Sequence, residues 1–170
     1  KAAADWICSV ADSHKYRILM GTGKLNQYDA VMKRFADNGV DTEKYDDITI
    51  SEYIYNMDIA MNAADLVISR AGASTLAELT AIGKPAILVP SPYVTDNHQE
   101  HNARAIERGG GAAVIPEPEL SAKSIDAAVS GIVSSKTKLV EMGTNSAKMG
   151  VPDSADRICK EVLRLIGKNK

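Results

Sequence analysis

At 170 residues the chain is long enough for one domain with a sizeable core. Its 20 Lys and Arg against 22 Asp and Glu leave a formal charge of −2, which argues against nucleic acid as a partner, since that calls for a basic footprint. Hydrophobic residues make up 45%, yet no apolar run approaches the roughly 20 residues of a membrane span and no signal peptide is visible, so a cytoplasmic protein is expected.

Ala2, Ala3, Trp6, Ile7 and Val10 recur at helical spacing, so the chain opens on a helix. A strand is predicted over Tyr16–Met20, then a turn at Gly21-Thr22-Gly23 and an amphipathic helix from Tyr28 to Asn38, ending at Gly39. The next strand runs near Ile48 to Ile54, and a short helix follows from Met57 to Ala64. Leu66–Ser69 reads as a buried strand, Arg70–Ala73 as a turn, and Ser74–Ile82 as a helix stopped by Gly83-Lys84-Pro85. Ala86–Val89 is the next buried strand, followed by a polar loop over Ser91–Asn102, a helix over Gln99–Glu107 and a strand over Ala112–Ile115. Helices close the chain near Ser121–Ser134, Lys136–Met142 and Ser154–Ile166. Strands alternating with helices predict an α/β domain built on an open, mostly parallel sheet with helices on both faces. Such a sheet normally begins with a strand, so the chain reads as a piece of a larger protein, cut just after a first strand. Cys8 and Cys159 lack metal-motif spacing and both fall on helical patterns, which predicts buried, reduced thiols.

The turn before Ser74 delivers a helix N-terminus to the carboxyl edge of the sheet, where α/β folds bind ligands. Gly72 allows close backbone approach, and the N–H groups of Ala73, Ser74 and Thr75 suit a diphosphate; a plain strand–helix turn is the other reading. Glu78 has two readings. Thr75-x-x-Glu78 matches a capping box, while a carboxylate there also suits two ribose hydroxyls. In the Ser91–Asn102 loop, Asp96, Asn97, His98, Gln99 and Asn102 suit sugar hydroxyls, against a solvated loop with an N-capped helix. His98 and His101 are three apart, but no third ligand is evident, so no metal is expected. Ser51-Glu52-Tyr53-Ile54 ends a strand at the same edge and suits a flat base as well as a half-buried strand end. Gly109-Gly110-Gly111 reads as a helix stop. Gly21-Thr22-Gly23-Lys24 has the wrong spacing for a P-loop, and Ser69, Ser74 and Ser91 lack a nucleophile-elbow context.

Several of these motifs together resemble one family. They are Glu52-Tyr53-Ile54-x-x-Met57, the run Ala64–Ala73 with Thr75 and Glu78, Gly83-x-Pro85-Ala86-x-Leu88-x-Pro90, Asp96-x-His98-Gln99-x-x-Asn102-Ala103, and Gly111–Ile115. In order and spacing they are similar to the donor-binding, C-terminal half of the MurG-type N-acetylglucosaminyltransferases of peptidoglycan synthesis. The resemblance implies a Rossmann-like half of a GT-B fold, filling residues 1–170 as a single sugar-nucleotide-binding domain truncated at its first strand. It implies that Glu78 holds the ribose and that Gly72, Ala73, Ser74 and Thr75 face the diphosphate. Ile54 would read the uracil edge through its backbone, with Tyr53 and Met57 packing the base. Gln99 and His98 would meet the N-acetylglucosamine, although His98 stands where the family often has Gln.

The implied donor is UDP-N-acetylglucosamine. The implied acceptor, lipid I, would bind an N-terminal domain absent from this chain, together with the catalytic base. The implied enzyme is an inverting hexosyltransferase, peripheral on the cytoplasmic face of the inner membrane and tied to cell division and cell shape. No catalytic residue is expected in this fragment, which alone should be inactive, and no cofactor. Three alternatives are a lipid glycosyltransferase using UDP-galactose or UDP-glucose, a non-catalytic sugar-nucleotide-binding subunit needing a partner chain, and a UDP-sugar epimerase.

Overall fold

The computed structural model describes residues 1–23 and 27–167, so Lys24 of the discounted P-loop half lies outside the described residues. Five short strands alternate with helices. The strands are β1 (Ile18–Gly21), β2 (Ile48–Ser51), β3 (Val67–Ser69), β4 (Ala86–Leu88) and β5 (Ala112–Val114). The helices are α1 (Ala2–Val10), α2 (Gln27–Asp37), α3 (Met57–Ala63), α4 (Ala73–Ala81), α5 (His98–Arg108), α6 (Ala122–Val133), α7 (Lys136–Met149) and α8 (Ser154–Gly167).

All strand pairs are parallel. They form two sheets, β1–β2 and β3–β4–β5, where one was expected. A doubly wound sheet has the strand order 3-2-1-4-5-6, and removing strand 1 leaves the two groups seen here.

The period-two alternation of strand side chains sorts the core. Ile87 of β4 and Val89 just after it enter a cluster with Trp6 and Ile7 of α1, Phe35 of α2 and Ile125, Val129 and Ile132 of α6. The intervening Ala86 and Leu88 enter a second cluster with Met61 of α3, Leu76 and Leu79 of α4 and Ala103 of α5. Helices thus cover both faces of β3–β5. Among the described residues the sheet β1–β2 is covered on one face: Ile18, Met20, Ile48 and Ile50 pack into the first cluster, while Leu19 remains 47% exposed.

Four expectations need correction. The second strand stops at Ser51, and Ile54 lies in the following loop, half-buried. The seventh helix runs to Met149, because Gly143 does not stop it; a Cβ there would stand 2.8 Å from the Gly83 carbonyl oxygen, so this glycine is a point of close helix approach. The helix stops at Gly83 and Gly110 do hold, with φ of +64° and +77°, in the left-handed region. Cys159 is exposed, since every residue of α8 is exposed; Cys8 is half-buried, and burial pushes its thiol pKa up.

Candidate functional site

Within each sheet the parallel strands end at a common carboxyl edge. Between β3 and α4 the chain turns through Arg70, Ala71 and Gly72. Ala71 is fully buried and fixes the turn in the second cluster. Gly72 is the N-cap of α4 and makes no side-chain cap bond. The first helical bond is that of the Leu76 N–H to the Gly72 carbonyl at 3.0 Å, so the N–H groups of Ala73, Ser74 and Thr75 precede the helical ladder. A Cβ added at Gly72 would meet nothing nearer than Thr75 Oγ1 at 3.9 Å, and φ is −67°. Neither backbone conformation nor neighbouring atoms of this chain demand glycine there.

The N-cap at Gly72 removes one reading of Glu78. A capping box on Thr75 needs Thr75 at the N-cap, and Thr75 is the third residue of the helix. Glu78 is exposed, one turn beyond Ser74 on the same face. A carboxylate therefore stands about 6 Å along the axis from the helix mouth, as four residues of rise require.

The turn is held by a pair that sequence reading missed. The Arg70 guanidinium donates to the Val89 carbonyl at 3.3 Å and forms an ion pair with Glu117. It links the ends of β3 and β4 to the segment after β5. The guanidinium holds the Glu117 carboxyl below its ordinary range. Glu117 lies 47 residues from Arg70, so no local pattern announces the pair. Beside them the Ser69 hydroxyl oxygen is buried and has no hydrogen-bond partner among the described residues.

After β4 the loop passes through Asp96 and Asn97, both in the left-handed region at φ 52° and 49°. Asn97 is the N-cap of α5 but makes no side-chain cap bond, so the N-capped reading fails. The Gln99 side-chain carbonyl accepts the Ser91 N–H at 2.9 Å, which closes the loop and leaves the Gln99 amide N–H groups as donors. His98 is exposed, and its Nδ1 lies 2.8 Å from the Thr95 carbonyl. Among the described residues, no three His, Cys, Asp or Glu side chains converge as a metal site.

At the end of β2, Tyr53 and Met57 are exposed and Ile54 is half-buried. The expected site residues lie on the segments that follow β2, β3 and β4, with Glu78 in the second turn of α4. Those segments present a helix N-terminus, a carboxylate one turn away, amide donors and aromatic faces.

A family profile, the Glycosyltransferase family 28 C-terminal domain, matches residues 3–158. The UDP-N-acetylglucosamine–N-acetylmuramyl-(pentapeptide) pyrophosphoryl-undecaprenol N-acetylglucosamine transferase of Desulforamulus reducens is 41% identical over 166 residues, covering 98% of this chain and 44% of the relative. The enzyme of the same name from Listeria monocytogenes serotype 4a is 50% identical over 119 residues, covering 70% of this chain and 33% of the relative. The crystal structure of Acinetobacter baumannii MurG superposes with a TM-score of 0.71 at 21% identity, over 95% of this chain and 48% of that one. The glycosyltransferase VinC in complex with dTDP gives 0.59 at 14% identity, over 95% of this chain and 37% of that one. These two likenesses support a GT-B-type α/β fold. The chain spans less than half the length of these relatives.

Proposed function

The chain belongs to the Glycosyltransferase family 28 C-terminal domain family, and on that premise we propose that it is the UDP-N-acetylglucosamine-binding half of the inverting transferase that makes lipid II. Its relatives are named as transferases of N-acetylglucosamine onto a pyrophosphoryl-undecaprenol acceptor. One observation supports the reading most directly. The N–H groups of Ala73, Ser74 and Thr75 open on the sheet edge, Gly72 leaves room beside them, and Glu78 follows one turn later. That order of parts matches a diphosphate followed by a ribose.

In the proposed reaction the 4-hydroxyl of the lipid I sugar attacks C1 of N-acetylglucosamine. The bond from C1 to the diphosphate oxygen breaks with inversion, and UDP departs carrying the bond's electrons. The positive end of α4 offsets the charge growing on the departing diphosphate. Glu78 accepts hydrogen bonds from the ribose, and the Gln99 amide donates to sugar hydroxyls beside His98. Ile54 reads the uracil edge, with Tyr53 and Met57 against the ring. The hydroxyl's proton goes to a base outside this chain, in an N-terminal part that also binds lipid I. The assembled enzyme works at the cytoplasmic face of the inner membrane and serves wall growth in division and shape. Among the described residues no helix is long and apolar enough to cross a membrane.

Calorimetry with UDP and UDP-N-acetylglucosamine tests the donor reading, with UDP-galactose and UDP-glucose as competitors. Saturable binding of UDP with preference for the N-acetylglucosamine donor is expected. Absence of UDP binding overturns the reading, and preference for a plain hexose donor reassigns the sugar.

A further inference from the structure

We propose that Tyr55 completes the nucleobase site: with Tyr53 it forms an aromatic corner that receives the flat face of the base. The inference rests on the donor reading and names a residue outside the expected site.

The loop after β2 is pinned from below. The Thr22 N–H donates to the Ser51 carbonyl at 2.9 Å, and the Gly23 N–H to the Glu52 carbonyl at 3.0 Å. Ile54 turns inward, its Cδ1 3.4 Å from where a Cβ of Gly21 would stand. Tyr53 and Tyr55, on either side of it, are both exposed. They meet each other outside, their ring centroids 5.1 Å apart and their planes at 73°. Edge-to-face contact is a favoured arrangement for two rings, so the pair is preset before any ligand arrives.

Tyr55 is 85% exposed and Tyr53 55%. A ring so exposed contributes little to folding, yet it stands at the carboxyl edge of the sheet, next to the expected base-binding residues. Two rings at 73° make a wall and a floor. A planar base laid on the Tyr55 face meets the Tyr53 ring at its edge, while the Ile54 backbone at the foot of the corner addresses its polar rim. Stacking of a base on an aromatic ring tolerates any base, so Tyr55 supplies affinity and the backbone supplies the choice of base.

The test compares the wild-type chain with Tyr55→Ala, Tyr55→Phe and Tyr55→Trp. UDP binding is followed by calorimetry, uridine and pyrophosphate by NMR titration. Tyr55→Ala is expected to weaken UDP and uridine by a common factor of roughly tenfold and to leave pyrophosphate unchanged. Tyr55→Phe and Tyr55→Trp should bind UDP as wild type does, because the ring and not the hydroxyl stacks. The inference is overturned if Tyr55→Ala binds UDP and uridine like wild type, as it would if the corner served a protein partner. Equal loss of pyrophosphate would reveal a collapsed loop and overturn it too. A wild-type chain that fails to bind UDP at all sinks the donor reading itself. That failure is visible before any variant is compared.

Discussion

Glu78 is the residue on which the donor reading turns most sharply. With the capping box excluded by the N-cap at Gly72, the carboxylate has no local structural duty on α4. Glu78→Gln should therefore leave thermal stability nearly unchanged and weaken UDP about 10- to 100-fold, the value of a hydrogen bond to a charged group. A UDP analogue lacking both ribose hydroxyls should show little further loss in the variant. Additive losses across the four combinations would rule out direct contact. Gly72→Ala is the companion test: its Cβ has space and an ordinary φ within the chain, so folding should persist. If a diphosphate lies against that backbone, affinity for UDP should fall by about tenfold or more, since overpacking costs about 1–3 kcal/mol. The Arg70–Glu117 pair makes a prediction in pH. Glu117 has its carboxyl pKa lowered from an ordinary 4.5 by the guanidinium. A lowered carboxylate stabilises the fold above its unfolded value and stops doing so as pH falls through its folded one. The stability advantage of wild type over Glu117→Gln should thus be present at neutral pH and shrink below about pH 4.5 in thermal melts.

At the scale of elements, two glycines in neighbouring helices separate propensity from packing. Gly131 of α6 has nothing within 4 Å of an added Cβ, whereas at Gly143 of α7 that carbon would stand 2.8 Å from the Gly83 oxygen. Alanine is the better helix former by about 0.8–1.0 kcal/mol. Gly131→Ala should therefore raise the midpoint of denaturant unfolding, and Gly143→Ala should lower it, as α7 is pushed off the end of α4. The same contrast explains what sequence reading captured. Helices and strands were legible where apolar period and breakers agreed, as at Gly83, Lys84 and Pro85, where Lys84 Nζ also donates to the Asn62 and Ala64 carbonyls at the end of α3. The end of α7 was not legible, because a glycine that permits close approach looks locally like one that stops a helix. The false capping box had the right residues in the wrong register. The candidate site was legible as spacing along the chain, whereas the Arg70 brace, 47 residues apart in sequence, exists only once the strands are set side by side.

At the scale of the whole molecule, the prediction is binding without turnover. The chain spans less than half of its relatives, and nothing assigned on it serves as a base for the acceptor hydroxyl. An assay with lipid I and UDP-N-acetylglucosamine should show no product from this chain alone; product would move the catalytic base into it. Parallel pairing and two-sided covering of β3–β5 were legible from alternation, but the division into two sheets was not, since strand order is a long-range choice. That division has a consequence for cooperativity. Among the described residues no sheet ladder joins β1–β2 to β3–β4–β5, and side chains of both, such as Ile50 and Ile68, pack on one cluster. The smaller sheet, with Leu19 facing water, is therefore the natural unit of partial opening. Hydrogen exchange should find amides of Ile18–Gly21 and Ile48–Ser51 released at lower free energy than those of Ala86–Leu88, a strand paired on both sides. Unfolding followed by calorimetry should then depart from a single two-state transition.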